Sequence, residues 1–269
     1  MSNIVTIKNI LFGYEEGKDI FKDFSINIPS GVTSIMGQNG TGKSTLMLIA
    51  SGRLIPETGT VSLLGNNTNE ITNEEELNRL ASIIYQNMEF DTDETIGNLL
   101  SFVYKSGHHT DKINLELINE IITVMELKDS LNKKTNRTSK GEMQRVVIAF
   151  ALLYGSPIIF MDEPVFALEN HQKDAIFKYI VDFAHKFNIS IIFSIHDIDI
   201  SKKFSDNVIL FNKNRTAIIG SKDEILVKDK IEEAYQVPLH LLHEREKLNR
   251  KSLLNRDKMN SGLKGKILE

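Results

Sequence analysis

Apolar and polar residues follow each other along this chain in patterns that predict both strands and helices. Alternation between residues 4 and 28 predicts antiparallel strands that end at the Pro29-Ser30-Gly31 turn. Continuous apolar runs predict buried strands at 32–36, 81–85, 158–161 and 190–195, with shorter ones at 208–210 and 217–219. Helical patterns separate these runs, which is typical of an α/β domain with a mostly parallel sheet. We therefore expect such a core, preceded by a small antiparallel β subdomain.

The stretch from Asp93 to about Leu153 has a helical pattern throughout. Its apolar residues recur at helical spacing, as Ile113, Leu117, Ile121, Val124 and Met125 show. No strand pattern appears before Pro157, so we expect a helical subdomain, about 93–153, inserted in a domain that covers residues 1–225. Residues 226–269 then predict a small helical C-terminal extension and, from His243, a basic tail. We expect this tail to be solvated, with lipid headgroups or a partner protein as alternative contacts.

Composition narrows the class of protein. The 269 residues are 41% hydrophobic and 25% charged, as in an ordinary globular protein, and the net charge of -4 argues against a nucleic-acid partner. The absence of cysteine excludes disulfides and cysteine-based chemistry. No apolar run approaches the ~20 residues that span a bilayer, and the N-terminus lacks a signal-peptide pattern. We therefore expect a cytoplasmic protein that reaches a membrane only through a partner.

Residues 37–45 read Gly-Gln-Asn-Gly-Thr-Gly-Lys-Ser-Thr, between a predicted buried strand and a predicted helix. The spacing from Gly37 to Gly42, followed directly by Lys43 and Ser44, is that of a P-loop. Glycines let backbone N–H groups turn toward phosphate oxygens, and the helix N-terminus adds to this anion site. Lys43 can reach the β- and γ-phosphates, and the Ser44 hydroxyl can bind Mg²⁺. The residues assigned to nucleotide binding are Gly37, Gln38, Asn39, Gly40, Thr41, Gly42, Lys43, Ser44 and Thr45.

Polar residues also follow three other predicted strands, at the carboxyl ends where parallel sheets bind ligands. Gln86 can supply an amide oxygen to Mg²⁺, and Asp162 can hold the same ion through its water shell. Two adjacent carboxylates beside a sheet require a nearby positive charge, which nucleotide-bound Mg²⁺ would provide. Glu163 is then the candidate to orient or deprotonate the attacking water. His196 follows the next strand, at the same edge of the sheet.

Three other features allow both a ligand-binding and a structural interpretation. Tyr14 could stack on a purine base or could be an ordinary strand-edge tyrosine. Ser139 and Glu142 fit a capping box, and the N-terminus of the helix that they begin could also bind phosphate. The pair at His108 and His109 has no third ligand nearby in sequence, so we expect no metal site there.

The order of these motifs resembles that of the ATP-binding cassette (ABC) ATPases over about residues 4–225. The P-loop takes the place of Walker A, and Ile158 to Asp162 that of Walker B. Tyr14 matches the aromatic A-loop and Gln86 the Q-loop. Glu163 matches the catalytic glutamate and His196 the switch histidine. The resemblance implies a P-loop NTPase fold with a RecA-like core that binds ATP with Mg²⁺ and hydrolyses ATP.

Residues 138–142 stand where this family has its Leu-Ser-Gly-Gly-Gln signature. Two cassettes of the family hold two ATP molecules between them, so the resemblance implies a dimer, with a second copy of this chain as the expected partner. Ser139, Gly141 and Glu142 of one chain would then meet the nucleotide of the other. The sequence departs from the family pattern at Thr138, Lys140, Glu142 and Glu169. The signature serine and second glycine remain, so we expect a competent ATPase, with a slow regulatory ATPase as an alternative.

The resemblance also implies transmembrane permease subunits, which would hold the chain at the cytoplasmic face of the cell membrane. The sequences of residues 142–146 and of Ile231–Pro238 are similar to those of importers of iron–siderophore, haem or cobalamin type. Such an importer implies a substrate-binding protein. The Ser-Lys-Gly wording occurs in drug or polysaccharide exporters as well, so an exporter is the alternative. A cassette acting on nucleic acid or ribosomes fits less well, since the chain holds one cassette and is acidic.

Overall fold

The computed structural model describes residues 2–86, 88, 90–108, 114–168 and 170–242. The described strands are β1 (Asn3–Gly13), β2 (Asp19–Pro29), β3 (Val32–Met36), β4 (Thr58–Leu63), β5 (Asn66–Asn67), β6 (Ala81–Ile84), β7 (Ile158–Asp162), β8 (Ser190–Ser194), β9 (Asn207–Phe211) and β10 (Ala217–Ser221). The described helices are α1 (Lys43–Ala50), α2 (Glu74–Leu80), α3 (Ile96–Ser106), α4 (Leu115–Val124), α5 (Lys140–Tyr154), α6 (Asn170–Phe187), α7 (Ile198–Phe204), α8 (Lys222–Ile225) and α9 (Lys228–Tyr235).

Four of the described strands form an antiparallel sheet in the order β2-β1-β4-β5. Alternate residues such as Ile7 and Ile26 are buried on one face, which is the alternation that predicted these strands. The pairing of β1 with β2 shifts register near Asn9 and Asp23, whose φ angles of 47° and 51° lie in the left-handed region. Despite these irregularities, β1 and β2 each run for 11 residues. The predicted antiparallel N-terminal sheet is confirmed.

The other six described strands form a sheet in the order β10-β9-β3-β8-β7-β6. The pairs from β9 to β6 are parallel, whereas β10 pairs antiparallel with β9. β3, β8 and β9 are buried along their whole length, as strands covered on both faces should be. The mostly parallel core expected from the sequence is confirmed. Because parallel strands end at one edge, this topology brings together the residues that follow β3, β6, β7 and β8.

Two hydrophobic layers cover the central sheet. On one side α1 packs between the two sheets, and Leu46, Met47 and Ile49 are buried against residues of both. On the other side α5, α6 and α7 pack on residues such as Val32 and Ile159. Full burial of one such side chain contributes about 1.5–3 kcal/mol, so these layers fix β3 and β7 firmly beneath the ligand edge.

Helices α3, α4 and α5 lie in the stretch between 93 and 153 for which the sequence predicts helix. Tyr104, Ile121 and Val146 belong to the same buried cluster as the helix-covered face of the central sheet. An antiparallel bridge between Thr95 and Lys134 joins two parts of this stretch that are distant in sequence. The hydrophobic pattern did not predict this bridge.

The chain beyond β10 forms the short helices α8 and α9, and both pack back on the sheet. Ile225, Ile231 and Ala234 are buried in the core. The basic tail predicted from His243 lies outside the described residues, as do His109 and Glu169. None of the helices in the described ranges is long and apolar enough to cross a membrane.

Candidate nucleotide-binding site

The P-loop runs from the end of β3 to the start of α1, and its course depends on glycine. Gly37 and Gly42 have φ angles of 139° and 104°, which side-chain-bearing residues rarely adopt. A Cβ on Gly37 would lie 2.8 Å from Phe211 Cβ, and a Cβ on Gly42 would lie 2.9 Å from Phe21 Cζ. Glycine alone fits at both positions. The loop and the N-terminus of α1 thereby form a concave backbone surface of the kind that binds anions.

The Lys43 side chain lies against the inner side of this loop. Its Nζ donates hydrogen bonds to the carbonyl oxygens of Gly37 and Gln38, each at 3.0 Å, and the residue is buried. Burial lowers the pKa of Lys43, and the nearby charges of Glu163 and Asp162 oppose that effect. The lysine is therefore bonded to the loop and lies within the electrostatic influence of the acidic end of β7.

The other loop residues differ in exposure. Asn39, Gly40 and Ser44 are exposed, whereas Thr41 is buried. Thr41 Oγ1 donates to the Gln38 carbonyl oxygen at 2.8 Å, which braces the turn from within. Ser44, in the first turn of α1, is accessible to an ion bound beside the loop.

Tyr14 is brought next to the P-loop helix by the end of β1. Its hydroxyl lies 3.4 Å from Thr45 Oγ1, and its ring packs edge-on against Phe12, with 5.1 Å between the ring centroids. Tyr14 is nevertheless 60% exposed, so much of its surface is open to a ligand. This position is compatible with both interpretations of Tyr14, although it puts the ring beside the nucleotide loop.

Gln86, Glu163 and His196 meet at the carboxyl edge of the central sheet. Glu163 Oε1 lies 2.9 Å from His196 Nε2, and Glu163 Oε2 accepts a hydrogen bond from Gln86 Nε2 at 2.8 Å. The hydrogen bond from His196 lowers the pKa of Glu163 most. Burial opposes it, and the charges of His196 and Lys43 and the Gln86 bond add to the lowering. Glu163 is therefore held as a carboxylate, oriented by residues that follow the strands on either side of β7.

Ser194, the last residue of β8, is a candidate that sequence reasoning missed. Its hydroxyl donates to Asp162 Oδ1 and accepts a hydrogen bond from the Glu163 N–H at 2.9 Å. Glu163 has a φ angle of 48°, which is costly for a residue with a side chain, and this bond helps to hold it there. The only available signal was position, since Ser194 lies two residues before His196 at a predicted strand end.

Ser194→Ala is expected to lower kcat for ATP hydrolysis by about tenfold, because misplacing a catalytic group by a fraction of an ångström is costly. Steady-state ATPase assays would measure this. Ser201→Ala is a matched control, since it removes another buried serine hydroxyl, paired with Ser34 at 2.6 Å. Its effect should fall on stability and leave kcat within about twofold. If kcat fell equally in both variants, Ser194 would have no specific role in the site.

The start of α5 is capped as the sequence predicts. Ser139 Oγ accepts from the Glu142 N–H at 3.1 Å, and Glu142 Oε2 accepts from the Ser139 N–H at 2.8 Å. Glu142 Oε1 also accepts from Ser130 Oγ at 2.7 Å and lies 2.6 Å from Lys133 Nζ. A Cβ on Gly141 would lie 3.1 Å from the Ala167 carbonyl oxygen. The structure thus explains this helix start by capping and packing, and its role toward a nucleotide stays a prediction.

Glu142→Gln is expected to destabilise the protein by about 1–2 kcal/mol at neutral pH, since it weakens charge-assisted hydrogen bonds. Burial alone would raise the pKa of Glu142, but bonds from Lys133, Ser139 and Ser130 lower it from 4.5 to about 2. A lowered folded-state pKa stabilises the fold above 4.5, and this stabilisation is lost as pH falls toward 2. Urea unfolding should therefore show the two proteins converging over that range.

The matched control for this pH prediction is Glu75→Gln. Glu75 pairs with Arg79 at 2.7 Å on the surface of α2, where both side chains are more than half exposed. Such a pair contributes little, so the change should cost less than about 0.5 kcal/mol. A difference between wild type and Glu142→Gln that did not shrink with pH would contradict the assignment.

His108 is occupied in packing. Its ring lies edge-on to Tyr154, with 5.0 Å between the ring centroids, and its backbone N–H donates to the Tyr154 carbonyl oxygen at 2.8 Å. Among the described residues no group of three or more histidine or acidic side chains is placed to hold a metal on its own.

The loop, its lysine and the acidic end of β7, two strands away in the same sheet, define the class: this is a P-loop nucleoside triphosphatase. A family model described as "ABC transporter" matches residues 21–166, which is more than half of the chain. The chain belongs to the ABC transporter family, and it is an ATP-binding subunit of that family with ATPase activity.

Similar proteins include several ATP-binding subunits of known name. The petrobactin import ATP-binding protein YclP of Bacillus subtilis (strain 168) is 28% identical over 88% of this chain and 94% of its own. The energy-coupling factor transporter ATP-binding protein EcfA3 of Oenococcus oeni is 30% identical over 82% of this chain and 80% of its own.

Solved structures have the same fold. A dimeric ATP-binding cassette in a post-hydrolysis state with ADP and phosphate has a TM-score of 0.68 at 25% identity, covering 81% of this chain and 98% of that one. A protein described as a metal-chelate type ABC transporter, in an inward-facing conformation, has a TM-score of 0.69 at 18% identity, covering 88% and 90%. At that identity the second likeness concerns the fold alone.

Proposed function

We propose that this ATPase powers the import of a metal chelate of iron–siderophore, haem or cobalamin type. The observation that carries the proposal is the similarity to a petrobactin import protein along 88% of the chain. The sequence of Ile231–Pro238, which begins in α9 and ends after it, also resembles that of such importers.

In the proposed reaction each residue at the sheet edge has a role in hydrolysis. Lys43 and the P-loop N–H groups bind the phosphates, and Tyr14 stacks on the base. Glu163, which is a carboxylate with both oxygens hydrogen-bonded, orients or deprotonates the attacking water. His196 holds Glu163 in place through its Nε2.

Mg²⁺ is the metal that this site would take. Ser44, Gln86 and Asp162 offer a hydroxyl, an amide oxygen and a carboxylate, and hard oxygen donors of this kind suit Mg²⁺, which keeps several waters and binds nucleotide phosphates. Gln86 fits this role because its amide nitrogen donates to Glu163, so that its amide oxygen is the group available to the ion. The ion would neutralise charge on the phosphates.

Two copies of this chain are proposed to form the working unit. Ser139, Gly141 and Glu142 of one copy would complete the nucleotide site of the other, so that ATP joins the copies and hydrolysis separates them. Transmembrane permease subunits, which would hold this chain at the cytoplasmic face of the membrane, and a substrate-binding protein would complete the importer. Nucleic acid has no place in this proposal.

Uptake in cells that lack this chain tests the cargo. Labelled iron–siderophore, haem and cobalamin are supplied separately, and uptake of one of them should be lost. The wild-type chain should restore it and Glu163→Gln should not. Normal uptake of all three, together with increased sensitivity to a drug, would favour an exporter instead. Permease proteins that co-purify with the tagged chain would identify the membrane partner in either case.

A further inference from the structure

The end of α9 contacts the first two residues of the P-loop. The Tyr235 hydroxyl accepts a hydrogen bond from the Gly37 N–H at 3.2 Å, across 198 positions of sequence. The Gln38 side-chain amide donates to the carbonyl oxygen of the same Tyr235. The C-terminal extension is therefore joined directly to the nucleotide loop, although it follows the last strand of the sheet.

The residues held by Tyr235 are the same ones that hold the phosphate-binding lysine. The carbonyl oxygens of Gly37 and Gln38 each accept from Lys43 Nζ, and the Gln38 carbonyl also accepts from Thr41 Oγ1. The N–H of Gly37 and the side chain of Gln38 are bonded to Tyr235. A shift of this dipeptide would thus move Lys43 as well.

Gly37 has little room on its other side. The carbonyl oxygen of Phe211, at the end of β9, lies 2.9 Å from the place that a Cβ on Gly37 would take. Gly37 is buried between that strand end and the tyrosine. A buried N–H needs a hydrogen-bond partner, and Tyr235 supplies it.

Tyr235 is itself held rigidly. It is 8% exposed, and its helix is anchored in the core by Ile231 and Ala234. Gln236 follows with a φ angle of 53°, which ends α9, and the Leu239 N–H donates back to Glu232 Oε1 at 2.8 Å. The hydroxyl is therefore presented to the loop by a fixed support.

We propose that Tyr235 is a positioning residue of the nucleotide site, and that the C-terminal extension keeps Gly37 and Gln38 in the phosphate-binding conformation through it. The inference concerns ATP binding and is independent of the transported compound. Its physical basis is preorganisation: when the loop is not held, part of the nucleotide-free population leaves the competent conformation. The apparent affinity falls by that fraction.

Tyr235→Phe tests this, because it keeps the packed ring and removes the hydroxyl. The Kd for a non-hydrolysable ATP analogue and for ADP, measured by titration calorimetry, should rise about three- to tenfold, the worth of one hydrogen bond. The KM for ATP should rise equally, while kcat at saturating ATP stays within about twofold, since bound nucleotide restores the loop. Amide hydrogen exchange at Gly37 should be faster without nucleotide and slow again with it.

Tyr104→Phe is the matched control. The Tyr104 hydroxyl accepts a hydrogen bond from the backbone N–H of Asn114 at 2.9 Å, and Tyr104 is 5% exposed. Tyr104 lies in α3 and not at the P-loop. It should lower the melting temperature without changing nucleotide Kd. If Tyr235→Phe does the same, with normal exchange at Gly37, the tyrosine only packs and the proposal is wrong.

Gln38→Met is a second variant that removes the other bond to Tyr235 and nearly preserves length. It should raise the same Kd values, and adding it to Tyr235→Phe should cost less than the product of the two separate changes, because both bonds hold one dipeptide. Fully multiplicative effects would contradict a shared role. Wild-type protein is titrated alongside the variants. If the wild type binds ATP and the variants do not behave as expected, the role of Tyr235 is wrong. If the wild type does not bind ATP, the nucleotide site itself is wrong.

Discussion

Glu163→Gln should reduce ATP hydrolysis by about a hundredfold or more and leave ATP binding intact. Loss of a general base typically costs a factor of about 10²–10⁴. The neutral amide keeps the shape of Glu163 and can still contact His196 and Gln86, so the site should retain its geometry. Phosphate release gives the rate, and calorimetric titration with ATP gives the affinity.

Glu126→Gln is a closely matched control for this experiment. Glu126 is also a glutamate with positive φ, 51°, and its carboxylate also accepts from a glutamine, Gln172 at 2.6 Å. It lies between α4 and α5, away from the sheet edge. Its ATPase rate should stay within about twofold of wild type. If Glu163→Gln hydrolysed ATP at the wild-type rate, Glu163 would have no role as a base.

Gly37→Ala should weaken nucleotide binding by about 30-fold or more. An added Cβ would lie 2.8 Å from Phe211 Cβ and 2.9 Å from the Phe211 carbonyl oxygen, at a φ of 139° that suits glycine alone. Strain and overpacking of this kind cost about 2–4 kcal/mol, and the loop must move to relieve them. Equilibrium binding of ATP, and melting temperature with and without ATP, would measure the loss.

Gly65→Ala is a control that introduces backbone strain without a steric clash. Gly65, between β4 and β5, has a φ of 85°, and a Cβ there would meet nothing within 4 Å. This change should lower stability by about 1 kcal/mol and leave the ATP Kd unchanged. Normal ATP affinity in Gly37→Ala would mean that the loop does not need this backbone course.

The P-loop could be predicted from the sequence because its signal is local: the spacing from Gly37 to Ser44 itself determines the turn. Gln86 and Glu163 are far apart in sequence, yet they could be placed together, because parallel strands share a carboxyl edge. The mostly parallel core was predictable because helical patterns separate the buried apolar runs. The catalytic role of Glu163 remains a prediction, which the Glu163→Gln variant tests.

Other features depend on tertiary contacts that no periodicity encodes. Ser194 has the sequence appearance of any small residue in a buried strand, and only the structure shows its hydroxyl between Asp162 and Glu163. The approach of Tyr235 to Gly37 depends on how α9 packs after β10. The left-handed conformation of Asn9 likewise follows from a register shift between strands, which alternation cannot reveal.

The most direct test of the account is the mass of Glu163→Gln in solution, measured by light scattering with and without Mg-ATP. The account predicts a 30.5 kDa monomer without nucleotide and twice that mass with it, because ATP held between two copies stabilises only the dimer. Ser139→Arg, which would obstruct the partner's site, should abolish the change. A variant that binds ATP and stays at 30.5 kDa would contradict a site shared by two copies of this chain.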